Sequence, residues 1–292
     1  MSGKKFCNCT NWKGTCIYQE FIWNGGKAKK ERKSYECSVI DKQKIEDNYF
    51  ILALSVPHEI ASSLIYPGSY VFIRNPESVH YYDMPISVME SDDDNDIIKL
   101  IIEVKGIKTK DIFSLKKGQN AIIRAPYWNG ILGLRNIYKA KKGTSLIIAK
   151  GIGQAPSVHV MEKLKSAGNK LIVIIDREPM DNIFIDRYLK NYDAEVYEMN
   201  IFEDGKLSKC FEDKLGYILK NNDINVVYAS GSDFLSSSIL GFLNQSVPFS
   251  CCNNTKMCCG EGICGCCTVK EKNCKLRRMC KFQTDPKFIL NS

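Results

Sequence analysis

The chain has 292 residues, of which 44% are hydrophobic and 25% charged, and its formal net charge is +8. This composition predicts a globular protein of about two domains with a small appendage. No basic patch with interleaved aromatics, no membrane-spanning apolar run and no signal-peptide pattern is found, which argues against nucleic-acid-binding, membrane and exported proteins. The 14 cysteines include adjacent pairs such as Cys251-Cys252, a pattern that indicates reduced thiols and a cytoplasmic location rather than a disulfide framework.

Residues 1–33 form an N-terminal arm with its own cysteines. It contains Cys7, Cys9 and Cys16 and a basic run over 25–33, and Cys37 lies just beyond it. Such thiols could bind zinc or a second iron–sulfur centre, or could belong to a reduced arm that packs on a partner. The spacing leaves both alternatives open.

Residues 34–138 carry short strand signals separated by turns. Strand-like runs occur at 49–56, 70–74, 97–104 and 121–124. Turn residues such as Pro67-Gly68 stand between them, and this rhythm predicts a small antiparallel barrel.

Residues 139–247 alternate strands and helices, which predicts a parallel, doubly wound sheet. The first strand runs into Gly151-x-Gly153, a turn that could receive a pyrophosphate at a helix N-terminus or could simply connect two elements. Pro156 suits the first turn of that helix. Asp176 and Arg177 end the next strand, where an acid would bind a ribose hydroxyl and a base a 2′-phosphate. NADH and NADPH therefore both remain possible.

Residues 248–292 are rich in cysteine. Cys259, Cys264 and Cys267 have the C-x4-C-x2-C spacing of a plant-type [2Fe–2S] loop. Glycines between them allow the backbone to curl around a cluster. Cys280 is the expected fourth ligand, with Cys274 as the competing choice, and Cys266 competes with Cys267. Zinc or structural thiols are the alternative to a cluster.

Several motifs together resemble a known family. They are Pro67-Gly68-Ser-Tyr-Val71, Pro85-Ile86-Ser87-Val88, Lys105-Gly106-x-x-Thr109, Pro126-x-x-Asn129-Gly130, Gly151-Ile-Gly153-Gln-Ala155-Pro156 and the cysteine loop. From residue 34 onwards, their order resembles the ferredoxin–NADP reductase superfamily, and within it the electron transfer subunits of type B dihydroorotate dehydrogenases. Sulfide dehydrogenase subunits are also similar.

The resemblance implies three domains: a six-stranded antiparallel FAD barrel (34–138), an α/β NAD(P) domain (139–247) and a small [2Fe–2S] domain (248–292). It implies cluster ligation by Cys259, Cys264, Cys267 and Cys280. The implied cofactor-binding residues are Pro85, Ile86, Ser87, Lys105, Gly106, Thr109, Asn129 and Gly130 for FAD, and Gly151, Gly153, Ala155, Pro156, Asp176 and Gly231 for the nucleotide. No catalytic acid–base residue is implied.

Three positions depart from the family pattern. Asp83-Met84 stands where an arginine usually precedes the Pro-x-Ser segment, Ser230-Gly231-Ser232 replaces a Cys-Gly-x-Pro turn, and Asn254 stands where an acid is usual.

The resulting functional expectation is an oxidoreductase that passes electrons between NAD(P)H and a partner subunit through FAD and a [2Fe–2S] cluster. The alternative is an electron-wire subunit that keeps both groups but does not oxidise nicotinamide. A metal-binding regulatory protein is a third hypothesis.

Overall fold

The computed structural model describes residues 32–78, 83–243, 247–271 and 274–290. Cys7, Cys9 and Cys16, on which the prediction of a metal-binding arm depends, lie outside these residues. The chain divides into two compact units. The first contains the described residues up to Gly130 together with Thr255–Thr284, and the second contains Ile131–Asn254 and the residues from Asp285 onwards. The predicted domain limits remain predictions.

The first unit is built on a closed antiparallel barrel with strand order β1-β2-β5-β4-β3-β6. This confirms the predicted six-stranded barrel. Its elements are β1 (Ser34–Glu46), β2 (Tyr49–Ser55), α1 (His58–Leu64), β3 (Tyr70–Arg74), β4 (Met84–Asp92), β5 (Ile97–Glu103), α2 (Ile107–Phe113) and β6 (Asn120–Tyr127).

The barrel core is formed by side chains that alternate along the strands. In β6, every second residue from Ala121 to Tyr127 is buried, which is the period-2 pattern of a strand with one face inward. Phe50, Leu52, Val71 and Ile73 meet in this interior. Each such side chain stabilises the fold by about 1.5–3 kcal/mol when it leaves water.

The cysteine-rich segment belongs to the same unit as the barrel. It contains the hairpin β15 (Thr268–Lys270) and β16 (Leu276–Arg278). Gly260 lies so close to the barrel that a Cβ added there would stand 2.5 Å from the Tyr127 ring and 2.8 Å from the Phe72 ring. Its φ of +69° is also a conformation that favours glycine. The start of the cysteine loop therefore rests directly on barrel aromatics.

The second unit is built on a six-stranded sheet with order β10-β9-β8-β13-β14-β7. Its elements are β7 (Ile131–Leu132), α3 (Leu134–Lys139), β8 (Thr144–Lys150), a 3₁₀ turn (Gly151–Gly153), α4 (Gln154–Ser166), β9 (Lys170–Asp176), α5 (Asp186–Asn191), β10 (Glu195–Glu198), β11 (Phe202–Glu203), β12 (Lys206–Leu207), α6 (Lys209–Asn221), β13 (Ile224–Ser230), α7 (Asp233–Phe242), β14 (Phe249–Cys252) and a 3₁₀ turn (Pro286–Phe288).

This sheet is parallel except at β7, which pairs antiparallel with β14 at one edge. Leu146, Ile147, Ile148 and Ala149 of β8 are all fully buried, as expected for a central strand covered on both faces. The strand order reverses direction between β8 and β13. In open α/β sheets, ligands bind at the carboxyl ends of the strands near such a reversal. Among the described residues, no helix has both the length and the apolar character needed to cross a membrane.

Candidate functional site

The first part of the candidate site is a group of thiols in the cysteine loop. The Cys259 sulfur accepts hydrogen bonds from the backbone N–H groups of Glu261 at 3.2 Å and Cys264 at 3.5 Å. The N–H of Cys266 and hydrogen bonds from Cys259 lower the pKa of the Cys264 thiol to about 6. Amides directed at sulfur stabilise the thiolate, which is the form that binds a metal.

A second pair of thiols lies beside the first. Cys267 and Cys280 are both buried, and the Cys267 sulfur accepts the N–H of Cys280 at 3.4 Å. The hydrogen bond between their side chains lowers the pKa of Cys267 to about 6 and raises that of Cys280, whose pKa is raised further by burial and by the nearby thiols Cys267 and Cys259. The chain thus brings the four predicted ligands together as two pairs.

Three other cysteines have different surroundings. Cys274 is exposed, has a φ of +61°, and donates its N–H to the Glu271 carbonyl in the β15–β16 turn. Cys37 lies in the barrel core, and burial raises the pKa of its thiol to about 12. Cys266 is exposed, and its thiol gathers with those of Cys258 and Cys264.

An ionic network ties the cysteine loop to the barrel. The Glu261 carboxylate accepts hydrogen bonds from Arg32 at 2.7 Å, Lys281 at 2.9 Å and the Tyr127 hydroxyl at 2.9 Å. Burial alone would raise the pKa of Glu261, but the two cations more than offset it and the pKa is lowered. Arg124 donates to the Cys259 carbonyl at 2.8 Å. No local sequence signal marks this network, because its members are far apart in the chain.

Six of the predicted flavin residues lie on β4 and around the N-terminus of α2. Pro85 is exposed on β4, and Ile86 and Ser87 are half-buried. The Thr109 hydroxyl accepts the N–H groups of Lys105 at 2.9 Å and Gly106 at 3.0 Å. A phosphate bound at this turn would compete with Thr109 for these two amides.

A small cleft with a volume of about 10 Å³, about the room that one water molecule needs, lies between β3, β4 and α2. Its polar lining includes Arg74, Asn75, Ser78 and Lys108. Arginine and lysine donors with amide and hydroxyl groups suit a phosphate.

Asp83, which stands where the family usually has an arginine, is held between two arginines. Its carboxylate receives Arg74 at 3.0 Å and Arg124 at 3.1 Å. One carboxylate between two guanidinium groups leaves a net positive charge. The cationic character expected at this end of β4 therefore comes from β3 and β6.

Asn129 and Gly130, predicted to contact FAD, are engaged within the first unit. Asn129 is only 4% exposed; its Nδ2 donates to the carbonyls of Met279 and Phe282, and its Oδ1 accepts Gln283. The Gly130 N–H donates to the Gly68 carbonyl at 2.9 Å. The Asn129 side chain anchors the cysteine-rich segment to the barrel, so we do not propose it as a flavin ligand.

The predicted nucleotide turn lies at the carboxyl end of β8. Gly151 has a φ of +54°, and Gly153 is followed by Ala155 and Pro156 in the first turn of α4. A Cβ on Gly153 would stand 2.2 Å from the Ser230 carbonyl oxygen, so the β13 backbone already requires glycine there. Close packing within the sheet is thus a sufficient reason for this residue.

Gln154, the first residue of α4, is completely buried, and neither its Oε1 nor its Nε2 finds a hydrogen-bond partner within the described structure. An unpaired buried amide costs about 1–3 kcal/mol. The sequence-based predictions did not include this residue. Its only signal is a polar side chain between the glycine turn and the apolar face of the following helix. An unpaired carboxamide beside the turn fits a polar ligand at this edge.

Asp176, the predicted ribose ligand, is only 1% exposed. Its carboxylate forms an ion pair with Lys150 and accepts the N–H groups of Glu178 at 3.0 Å and Ile201 at 2.9 Å. The neighbouring Arg177 is exposed and pairs with Glu198 at 3.2 Å. A ribose would have to displace these partners to reach the Asp176 carboxylate.

A buried polar group lies next to the turn at the end of β13. The Ser230 hydroxyl donates to the Gly153 carbonyl and lies 3.3 Å from the Cys252 sulfur, which is also 3.3 Å from the Tyr228 hydroxyl. Asn254 donates to the carbonyl of Gly231 at 2.7 Å. Cys252 therefore places a thiol beside Ser230, the residue that stands where the family usually has a cysteine. Sequence spacing could not reveal this contact.

Comparison with known proteins first defines the class. No protein-family model matches the chain. A structure described as giving insights into flavin-based electron bifurcation via the NADH-dependent reduced ferredoxin-NADP oxidoreductase aligns with a TM-score of 0.69 at 20% identity, covering 87% of this chain and 89% of that one. The fold is that of the ferredoxin–NADP reductase class.

Curated relatives are more specific. The dihydroorotate dehydrogenase B (NAD(+)) electron transfer subunit of Clostridium acetobutylicum is 27% identical over 259 residues, covering 86% of this chain and 94% of that protein. The subunit of the same name from Fusobacterium nucleatum is 25% identical over 82% of this chain and 91% of that protein. These matches confirm the resemblance predicted from the motifs.

Proposed function

We propose that the protein is an electron transfer oxidoreductase that passes electrons between NAD(P)H and a partner protein through FAD and a [2Fe–2S] cluster. The observation that carries this proposal is the grouping of Cys259 with Cys264 and of Cys267 with Cys280 on one loop, with backbone N–H groups directed at the sulfurs. The NAD-linked names of the relatives support the same function. A cytoplasmic location remains a prediction.

Cys259, Cys264, Cys267 and Cys280 would hold the cluster. Their N–H contacts stabilise thiolates, and the cations around Glu261 hold the loop on the barrel. Because a four-thiolate cluster carries net negative charge, Arg278, which donates to the Ile263 carbonyl at 3.0 Å, and Arg124 would favour it.

The barrel would hold FAD through residues 85–87 of β4 and through the small cleft beside them. Arg74 and Lys108 supply positive charge for the phosphates, and Gly106 and Thr109 supply a turn with backbone amides. The residues present therefore fit a phosphate-bearing cofactor, although Asp83 reduces the positive charge. When bound together, a flavin and a [2Fe–2S] cluster couple two-electron to one-electron transfer.

The second unit would hold the nicotinamide nucleotide at the carboxyl ends of β8 and β13. The unpaired Gln154 amide, Lys150 and the Ser230-Gly231 backbone are the polar groups at this edge. The names of the relatives describe subunits, so we propose a redox partner protein that receives the electrons.

The electron-wire function is the second candidate, because one observation favours it. The Asp176 carboxylate is occupied by Lys150 and two backbone amides, as a purely structural acid would be.

Anaerobic titration of the reconstituted protein with NADH and with NADPH separates the two functions. The proposed function predicts bleaching of flavin absorbance followed by the electron paramagnetic resonance (EPR) signal of a reduced [2Fe–2S] cluster. If dithionite produces both changes and neither nucleotide does, the electron-wire function replaces the first. Cys280→Ser is the control, because it should keep the flavin bleaching and lose the cluster signal.

A further inference from the structure

A second group of thiols shares the cysteine loop. The sulfurs of Cys258, Cys264 and Cys266 all lie within 4.8 Å of one another, and the three residues are exposed. Cys258 and Cys266 are not among the proposed cluster ligands, whereas Cys264 belongs to both groups. The thiols of Cys258 and Cys266 thus have no role in the proposed electron transfer.

Ordered turns hold these three thiols together. Gly262 and Gly265 have φ values of +74° and +79°, which reverse the backbone between Cys258 and Cys266. The Gly265 carbonyl accepts both the N–H of Thr268 at 3.0 Å and its hydroxyl at 2.6 Å. This capped turn contains Cys266, which is exposed, whereas Cys267 and Cys280 are buried.

We infer that Cys258, Cys264 and Cys266 form a binding site for a thiophilic divalent cation such as zinc, and that this cation and the [2Fe–2S] cluster exclude each other. Zinc–sulfur bonds of about 2.3 Å in a tetrahedron separate the sulfurs by about 3.8 Å. The sulfur–sulfur distances, now at most 4.8 Å, need to shorten by no more than about 1 Å. Rotation of the three exposed side chains can supply this movement.

Binding is balanced by proton release. The cation binds three thiolates, any proton that a thiol still carries is released to solvent, and a water completes the tetrahedron.

The exclusion rests on the proposed cluster ligands, because it depends on Cys264 serving both groups. A Cys264 thiolate bound to zinc is no longer available as a terminal ligand of a cluster iron. The zinc-loaded protein would therefore lack the one-electron centre. The loop would then act as a metal-dependent control of electron output.

The exclusion is tested by assembling the cluster with iron and sulfide on the full chain at increasing zinc concentrations. The EPR intensity after dithionite reduction measures cluster content. Without zinc, wild type and Cys258→Ser/Cys266→Ser should give equal signals. With zinc, the variant should need at least about tenfold more metal for half-inhibition, because even loss of outer-shell partners costs about 10–100-fold in metal affinity. Coincident inhibition curves, or a variant without a cluster in the absence of zinc, would overturn the inference.

A direct measurement separates this inference from the proposed function. In a Cys259→Ser/Cys267→Ser/Cys280→Ser background, the three-thiol site is intact and no cluster can form. Titration with Co²⁺ should produce sulfur-to-cobalt charge-transfer absorption. Adding Cys258→Ser and Cys266→Ser should remove that absorption, while thiols outside the loop contribute equally to both proteins. Unchanged absorption would refute the site, whatever the fate of the cluster in wild type.

Discussion

Gln154→Met should stabilise the second unit. The substitution replaces a completely buried carboxamide without hydrogen-bond partners by an unbranched apolar side chain of similar length. Removing an unsatisfied buried amide recovers about 1–3 kcal/mol, so the free energy of unfolding should increase by that amount. For a unit of this size the melting temperature should rise by about 2–4 °C per kcal/mol.

Asn169→Leu is the matched control for this prediction. Asn169 is also a buried amide of the second unit, but its Nδ2 donates to the carbonyls of Ala140 and Leu164, and its Oδ1 accepts Gly143 and Asn225. Its removal leaves several buried polar groups unpaired and should destabilise the unit by at least about 1–3 kcal/mol.

Urea unfolding of the nucleotide-free protein measures both effects as shifts of the midpoint at constant slope. Gln154→Met should also weaken NAD(P)H binding by about 2–10-fold if the amide contacts the nucleotide, since one neutral hydrogen bond contributes about 0.5–1.5 kcal/mol. A Gln154→Met protein less stable than wild type would refute the argument, because the amide would then have to make favourable contacts.

Three further predictions concern the first unit. Cys280→Ser should abolish the EPR signal of the reduced cluster, whereas Cys274→Ser should keep it; the opposite result would make Cys274 the fourth ligand. Arg74→Ala should weaken FAD binding by about 1.5–3 kcal/mol, the contribution of a charged hydrogen bond, and unchanged affinity in a flavin-fluorescence titration would exclude this arginine from the phosphate site. The hydrogen bond to Asp96 raises the pKa of His58 above 6.5, so the pair should stabilise the fold at low pH and lose its effect as pH rises through that raised pKa. NMR titration of His58 should show its pKa falling towards 6.5 in Asp96→Asn.

Much of the barrel could be predicted from its apolar strands. The runs at β2, β3, β5 and β6 have enough hydrophobic residues to be recognised. β1 escaped prediction because few of its side chains are buried: in SYECSVIDKQKIE only Cys37 and Val39 are fully buried. Its backbone nevertheless closes the barrel by pairing with β2 and β6.

β14 was missed for a different reason. Its sequence Phe249-Ser-Cys-Cys252 was taken as the start of the cysteine-rich segment, but all four residues are buried in the sheet of the second unit. Cysteine behaves as a small hydrophobic residue in a protein core, so cysteine content alone does not mark a metal-binding segment.

The candidate site was predictable only where its residues are close in sequence. The cysteine spacing identified thiols that the structure groups in pairs. The ion pair between Asp176 and Lys150 depends on the register of β8 and β9, in which these two residues lie opposite each other. The pairing of Asp83 with Arg124 likewise depends on barrel closure. Such contacts between distant residues carry no local sequence signal.

The discontinuity of the first unit has a consequence for synthesis on the ribosome. Gly260 rests on Phe72 and Tyr127, yet it is translated 133 residues after Tyr127. At about 5–20 residues per second, the nascent barrel waits roughly 7–27 s for the segment that covers these rings. During that interval the aromatic cluster of Tyr70, Phe72 and Tyr127 is open to water, and it presents an early surface for chaperones.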